Sequence, residues 1–244
     1  MKSTRLDKYL ADAGLGTRSE VKNLLKKRFV LVNGSPCVRP EQKITSDDEI
    51  TCQGRLVRKK TFSYYMLNKP AGVISATEDS RDRTVLDLLQ EQGIPTNGLF
   101  PVGRLDKDTE GLLLITDDGA LAHHLLSPRR HVNKTYFARI DGEATVCDIE
   151  AFSAGLDIGD RKKTLPARLE ILSPGPVSEV HLTVQEGRFH QVKRMFLAQR
   201  KKVLYLKRIS MGKLSLDPDL LPGRARPLTE EEVSLLRPEI VSPV

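Results

Sequence analysis

Apolar positions along this chain follow two rhythms, every third or fourth residue in some stretches and every second residue in others. The two rhythms mark helices and strands respectively. Leu6, Tyr9, Leu10 and Ala13 form a stripe that predicts a first helix, capped by Thr4 with Asp7 three residues on and broken at Gly14 and Gly16. Thr17 and Glu20 make a capping box for a second helix, whose Val21, Leu24 and Leu25 face the core. Phe29–Val32 runs as a strand into Asn33-Gly34, the pair that best supplies a type I′ hairpin turn, and Ile50–Cys52 is a further short strand. A strand over 62–67 ends at Asn68-Lys69-Pro70-Ala71-Gly72, where Pro70 removes a ladder donor. Thr84 caps a short helix carrying Val85, Leu88 and Leu89. Leu112–Thr116 reads as a buried strand closed by the turn Asp117-Asp118-Gly119, with a helix over 120–126 after it. Lys134–Ile140 alternates, with Tyr136, Ala138 and Ile140 on one face, and 167–172 and 179–184 alternate likewise. Phe152 lies in a helix between them. The stretch 186–196 starts another, with Phe189, Val192 and Phe196 as its buried face and Lys193 adjoining it. By this spacing Arg194 and Lys201 point away, solvated or toward a partner. A capping box at Thr229 and Glu232, with a staple of Leu228 on Val233, starts the last helix near Glu230, and Pro238 ends it.

Against these elements the polar stretch Gly103-Arg104-Leu105-Asp106-Lys107-Asp108-Thr109-Glu110-Gly111 stands out, because it leads directly into the buried strand. Loops anchored on a rigid element are where catalytic groups concentrate. Leu105, set between Arg104 and Asp106, predicts that part of the loop is tucked inward. The charged run Arg58-Lys59-Lys60-Thr61 divides the chain into residues 1–58, a linker at 59–61 and a larger domain at 62–240.

Charge narrows the partner. Among 244 residues, 39 Lys and Arg against 32 Asp and Glu leave a net +7, which favours an anionic partner, nucleic acid above all. Arg18, Lys22 and Lys26 fall at successive i,i+4 positions on the second helix with no acid among them, a stripe suited to a phosphate backbone. Cys37, Cys52 and Cys147 form no C-x-x-C pair, which suits a reducing cytoplasm. There is no H-E-x-x-H, no amino-terminal apolar signal region and no stretch near the ~18 apolar residues of a membrane span, so neither metal nor membrane is expected. Asp108, Asp117 and Asp118 offer a Mg²⁺ alternative, but acids in a D-D-G turn are more often turn formers.

The motifs carry a resemblance. Arg5–Leu10 with Val30–Gly34 resembles the S4 RNA-binding domain. Lys69–Gly72, Gly103–Asp106 with Thr109 and Gly111, Lys134-Thr135-Tyr136, and Glu186–Arg188 through Met195, in that order, resemble the pseudouridine synthases, most closely the RsuA type. The resemblance implies an α+β chain: a small S4-like RNA-binding domain, then a catalytic domain with a mixed, largely antiparallel sheet flanked by helices. It implies isomerisation of one uridine to pseudouridine in ribosomal RNA, of the small subunit, with no cofactor or metal. The implied setting is a monomer acting in the cytoplasm on ribosomal RNA or a pre-ribosomal particle.

By the same resemblance Asp106 is the nucleophile or base, Tyr136 stacks on the base and helps move a proton, and Lys193 pairs with Asp106. Arg104 enters the RNA stack where the base leaves, and Arg188 and Lys69 join Arg18, Lys22 and Lys26 in RNA binding, with Lys69 ordering the loop or a phosphate. His190 is supporting. An ionised aspartate in a sheltered site needs a cation beside it, which is the physical reason for Lys193. A large-subunit target, a non-catalytic S4-type RNA-binding protein and a Mg²⁺ nuclease are the alternatives. Large-subunit enzymes share every motif quoted.

Overall fold

The structure is a computed structural model that describes residues 3–45, 47–58 and 62–237. The expected linker at 59–61 and Pro238 lie outside the described residues. Two compact units share the chain, one ending at Phe62 and the other beginning at Ser63.

In the first unit β1 (Thr4–Arg5) leads directly into α1 (Leu6–Asp12), and α2 (Arg18–Lys26) follows. Next come β2 (Val30–Val32), β3 (Ser35–Pro36), β4 (Lys43–Ile44), β5 (Ile50–Cys52) and β6 (Arg55–Leu56). Thr4 does not cap α1. Its backbone is taken by β4, with Thr4 opposite Ile44, so a pairing with distant residues overrides the local capping pattern. Asp7 is instead buried and held by the Arg5 guanidinium at 2.9 Å, whose hydrogen bonds keep its carboxyl below the ordinary range. The Thr17–Glu20 box forms as expected. Asn33 and Gly34 have φ of 52° and 77°, the two positive values a type I′ turn requires, and Val32 pairs with Ser35 across it. Leu6, Leu10, Val21, Leu25, Val30 and Ile50 close this unit's core.

The second unit is built on one mixed sheet of nine strands among the described residues, its main path running β11-β12-β10-β13-β9-β7-β15. The strands are β7 (Tyr64–Lys69), β8 (Phe100–Pro101), β9 (Glu110–Thr116), β10 (Lys134–Asp141), β11 (Arg168–Ser173), β12 (Val177–Val184), β13 (Lys202–Met211), β14 (Leu214–Ser215) and β15 (Ala225–Pro227). The helices are α3 (Val85–Gln90), α4 (Gly119–Leu126), α5 (Val146–Ala154), α6 (Gln191–Ala198) and α7 (Glu230–Leu236). All pairings are antiparallel except β9 with β13. Central strands β7 and β9 bury both faces. Leu67, Leu113 and Ile115 join one apolar cluster with Ala138, Leu182 and Phe196, while Met66, Leu112 and Leu114 join another with Leu125 and Leu236. That two-sided burial explains the unbroken apolar run over 112–115.

Gly111 sits where β9 starts beside β13. A Cβ there would lie 2.2 Å from the Arg208 carbonyl oxygen, and φ is 99°, so only glycine lets the two strands approach and the preceding loop leave the sheet at this point. The expectation that α6 begins before Phe189 is not met. The helix starts at Gln191, and Phe189 is 72% exposed.

Candidate active site

The loop before β9 is wound around one side chain. Lys69, the last residue of β7, is fully buried, and its Nζ donates to the carbonyl oxygens of Asp106 at 3.0 Å, Thr109 at 2.9 Å and Pro70 at 3.0 Å. With Lys107 O a fourth, longer acceptor at 3.4 Å, the three ammonium hydrogens are all taken up within the protein. Burial pushes its pKa down to about 8, against the pull of Asp108, Asp106 and Glu110. The ammonium expected to meet RNA or to order the loop is thus bonded to the carbonyls of Pro70, Asp106 and Thr109. Ser75 Oγ accepts from the Leu105 amide at 3.0 Å and donates to the Leu105 carbonyl at 2.9 Å. Gly72 N donates to Lys107 O at 2.7 Å, and Thr109 N to Asp106 O at 3.0 Å. The backbone on both sides of Asp106 is thus fixed, and Leu105 is tucked inward as expected.

On this support the Asp106 side chain is 29% exposed, at the rim of a cleft shared with Arg104, Tyr136, Val184, Lys193 and Leu206. Lys193 Nζ lies 3.1 Å from Asp106 Oδ2 and 2.5 Å from Asp108 Oδ1, so one ammonium bridges two carboxylates. Desolvation works against the Lys193 charge, but hydrogen bonds to Asp108 and Asp106 outweigh it and its pKa is raised. The same bond from Lys193 holds the Asp108 carboxyl below its ordinary value. His190 Nε2 stands 3.6 Å from Asp106 Oδ1, on the other oxygen. Tyr136 is buried on β10, and its hydroxyl has no hydrogen-bond partner among the described residues. An anion fixed by a shared cation beside an open phenol suits attack on, or proton removal from, a flat polar ring.

The remaining basic residues separate into two groups. Arg104 is exposed and makes no side-chain bond among the described residues. Arg18, Lys22 and Lys26 are exposed along α2 in the first unit. Arg188 does not match a free RNA-facing group: its guanidinium is taken up by Glu186 Oε2 at 3.0 Å, Lys162 O at 2.6 Å, Lys163 O at 2.8 Å and Asp160. Arg194 is likewise not solvated. It reaches Ile158 O and Asp160, so both arginines hold the segment 158–163. Lys201 pairs at 2.7 Å with buried Asp148.

Lys193 faces inward for a reason other than its spacing from Phe189. It sits in the first turn of α6 beside buried Val192. Ser75 and the Lys69 cage went unread in the sequence, since only the fold brings 69 and 75 to the 105–109 backbone. Arg129 and Arg130, exposed just after α4, also make no ion pair among the described residues, and a double arginine was the visible signal. Asp117 and Asp118 are turn and cap formers: Asp117 accepts from the Ser63 amide, and Asp118 caps α4 and accepts from Tyr64. Among the described residues no three His, Cys, Asp or Glu are gathered as metal ligands, and no helix is long and apolar enough to cross a membrane.

Comparison with known proteins places this geometry. The family profile for RNA pseudouridylate synthase matches residues 63–198, and that for the S4 domain matches residues 4–50. The RNA pseudouridine synthase YtzG of Bacillus subtilis, itself uncharacterised, is 48% identical over 95% of this chain and 98% of its own length. Ribosomal small subunit pseudouridine synthase A of Vibrio cholerae is 42% identical, and that of Escherichia coli K12 38%, each over 94% of this chain and 98% of its own. A crystal structure of a pseudouridylate synthase, 36% identical, superposes with a TM-score of 0.69 and covers 96% of this chain and 99% of that one.

Proposed function

The chain belongs to the RNA pseudouridylate synthase family, and from that premise we propose that it isomerises one uridine of small-subunit ribosomal RNA, with Asp106 as its reacting carboxylate. The observation that carries the site is the Asp106–Lys193 contact at 3.1 Å on the rim of the cleft that Tyr136 lines. The subunit follows from the small-subunit synthases that match nearly end to end. Residues 1–58 supply RNA binding and 62–240 the chemistry.

In the reaction the bond from ribose C1′ to N1 breaks, the uracil turns while held, C1′ bonds to C5, and the C5 proton is lost while N1 gains one. The ionised Asp106 serves as nucleophile or as base, and Lys193 maintains its charge once RNA covers the cleft and excludes water. Tyr136 lies against the uracil face, its free hydroxyl placed to pass the proton. The planar, unpaired guanidinium of Arg104 occupies the gap left in the stack, since flipping a base costs a few kcal/mol that new contacts must offset.

The test is to map pseudouridine across both ribosomal RNAs in cells with and without this protein, and with Asp106→Asn. One small-subunit position should depend on the protein and vanish in the variant. Because Asp108 still pairs Lys193, that variant leaves no lone buried cation and should fold and bind RNA as the wild type does. A dependent position in large-subunit RNA would reassign the substrate. Product from Asp106→Asn would remove Asp106 from the chemistry.

A further inference from the structure

Phe189 is the most exposed large apolar side chain among the described residues, at 72%. It is not a loose end. The Arg188 amide donates to Gln191 Oε1 at 2.9 Å, Gln191 Nε2 to Glu186 Oε1 at 3.0 Å, and Arg194 Nη1 to the Phe189 carbonyl at 3.1 Å. These bonds and the left-handed backbone of His190, φ 47°, fix the turn and push the ring outward. One face of the ring is backed by His190, centroids 3.8 Å apart and planes 19° from parallel. The same imidazole stands 3.6 Å from Asp106. A rigid aromatic face is thus held open to solvent, one residue from the group that touches the reacting carboxylate.

Water disfavours such a face, and RNA supplies what would cover it. When a uridine leaves its stack, the neighbouring base loses a partner for one of its own faces. Aromatic side chains replace such partners whatever the base, because every base has a π-face. We propose that Phe189, backed by His190, is the stacking platform for the nucleobase next to the target uridine. This rests on the reading of Asp106 as the reacting carboxylate. The role is positioning: the platform binds the strand beside the uridine and takes no part in bond making.

The chain contains no tryptophan, so Phe189→Trp installs a single indole at the point of contact, whose emission is excited apart from that of the five tyrosines. The probe is a ribosomal RNA fragment spanning the mapped uridine, intact or with an abasic site immediately 5′ or 3′ to it. The intact fragment should quench the tryptophan, and one of the two abasic fragments should restore most of the emission. In turnover, Phe189→Ala should raise KM about 5- to 150-fold, the range measured for removing one base–aromatic stack, with kcat within about threefold. Phe189→Leu should follow alanine, and Phe189→Tyr should follow the wild type. Unchanged KM in Phe189→Ala, or equal quenching by all three fragments, would overturn the platform while the enzyme still makes pseudouridine. If no pseudouridine depends on the protein at all, the functional reading fails separately. Oligouridylate, with its abasic counterpart, then serves as the stacking probe, and quenching that ignores base removal overturns the platform there too.

Discussion

Lys69 shows how one side chain can serve a site it never enters. Replaced by methionine, it would leave the carbonyls of Pro70, Asp106 and Thr109 without their buried donor. Each unpaired carbonyl costs about 1–3 kcal/mol, less where the loop relaxes to reach water. Lys69→Met should therefore lower stability by roughly 3–5 kcal/mol and activity by more than about a hundredfold, since the loop holding Asp106 loses its centre. Thermal unfolding and pseudouridine formation measure the two effects. The pH dependence has a definite sign. The folded pKa of Lys69 is depressed to about 8 from the ordinary 10.5, so between these values the unfolded chain holds the extra proton. Stability gains a positive contribution as pH rises through that window, and Lys69→Met should lack it. Of this residue the sequence announced only its motif. A lysine before Pro-Ala-Gly reads equally well as a surface phosphate ligand, and its burial depends on a strand pairing with Gly111, 42 residues on. Asp106, Tyr136 and Lys193 were legible because their motifs fix residue type and order, while the second carboxylate on Lys193 was not.

At the level of elements, the local signals succeeded where capping chemistry was present. The boxes at Thr17, Thr84 and Thr229 all form. They failed at Thr4, where β4 competes for the backbone, and at Phe189, where apolar spacing of i, i+3 and i+7 continued upstream of the helix. No Ser, Thr, Asp or Asn marks the start of α6. Its beginning is set by side-chain bonds among Glu186, Arg188 and Gln191 that periodicity does not register. The last helix shows an element fastened by charge. Arg226 on β15 grips Glu232 with Nη1 at 2.8 Å and Nη2 at 2.7 Å, and its Nε takes Asp217 at 2.6 Å. The Arg226 bonds, aided by the Thr229 cap, bring Glu232 down to about 2 from the ordinary 4.5. A depressed carboxylate stabilises the fold above its unfolded pKa, and the contribution disappears as pH falls from about 4.5 to about 2. Glu232→Gln should therefore cost about 2–3 kcal/mol at neutral pH, seen as a lower Tm. The gap between variant and wild type should narrow as the melts are repeated toward pH 2. A gap that stays constant with pH would assign the loss to the helix cap alone.

For the whole molecule, the +7 charge is informative only through where the unpaired cations fall. Arg188, Arg194, Lys201 and Arg226 are all consumed by internal acceptors. Counting charges in the sequence does not separate them from the free ones, because their acids lie up to 53 residues away. Arg18, Lys22 and Lys26 differ: all three are exposed, and none is in an ion pair among the described residues. Each phosphate they neutralise releases condensed counterions, so their contribution must appear in the salt dependence of binding whatever the orientation of the two units. Replacing all three by alanine should weaken binding of a ribosomal RNA fragment and lower the slope of log K against log salt by about 2, at roughly 0.7 per lost single-strand contact. Because the substitutions lie in the first unit and Asp106 in the second, turnover at saturating RNA should be unchanged within about twofold, in contrast to Asp106→Asn. Binding isotherms at four or five salt concentrations decide it. A weakened Kd with an unaltered slope would mean that the triple variant had damaged the fold of the first unit, which its circular dichroism would show, whereas an unaltered Kd and slope would remove α2 from the RNA surface and leave Arg104, Arg129 and Arg130 to account for phosphate binding.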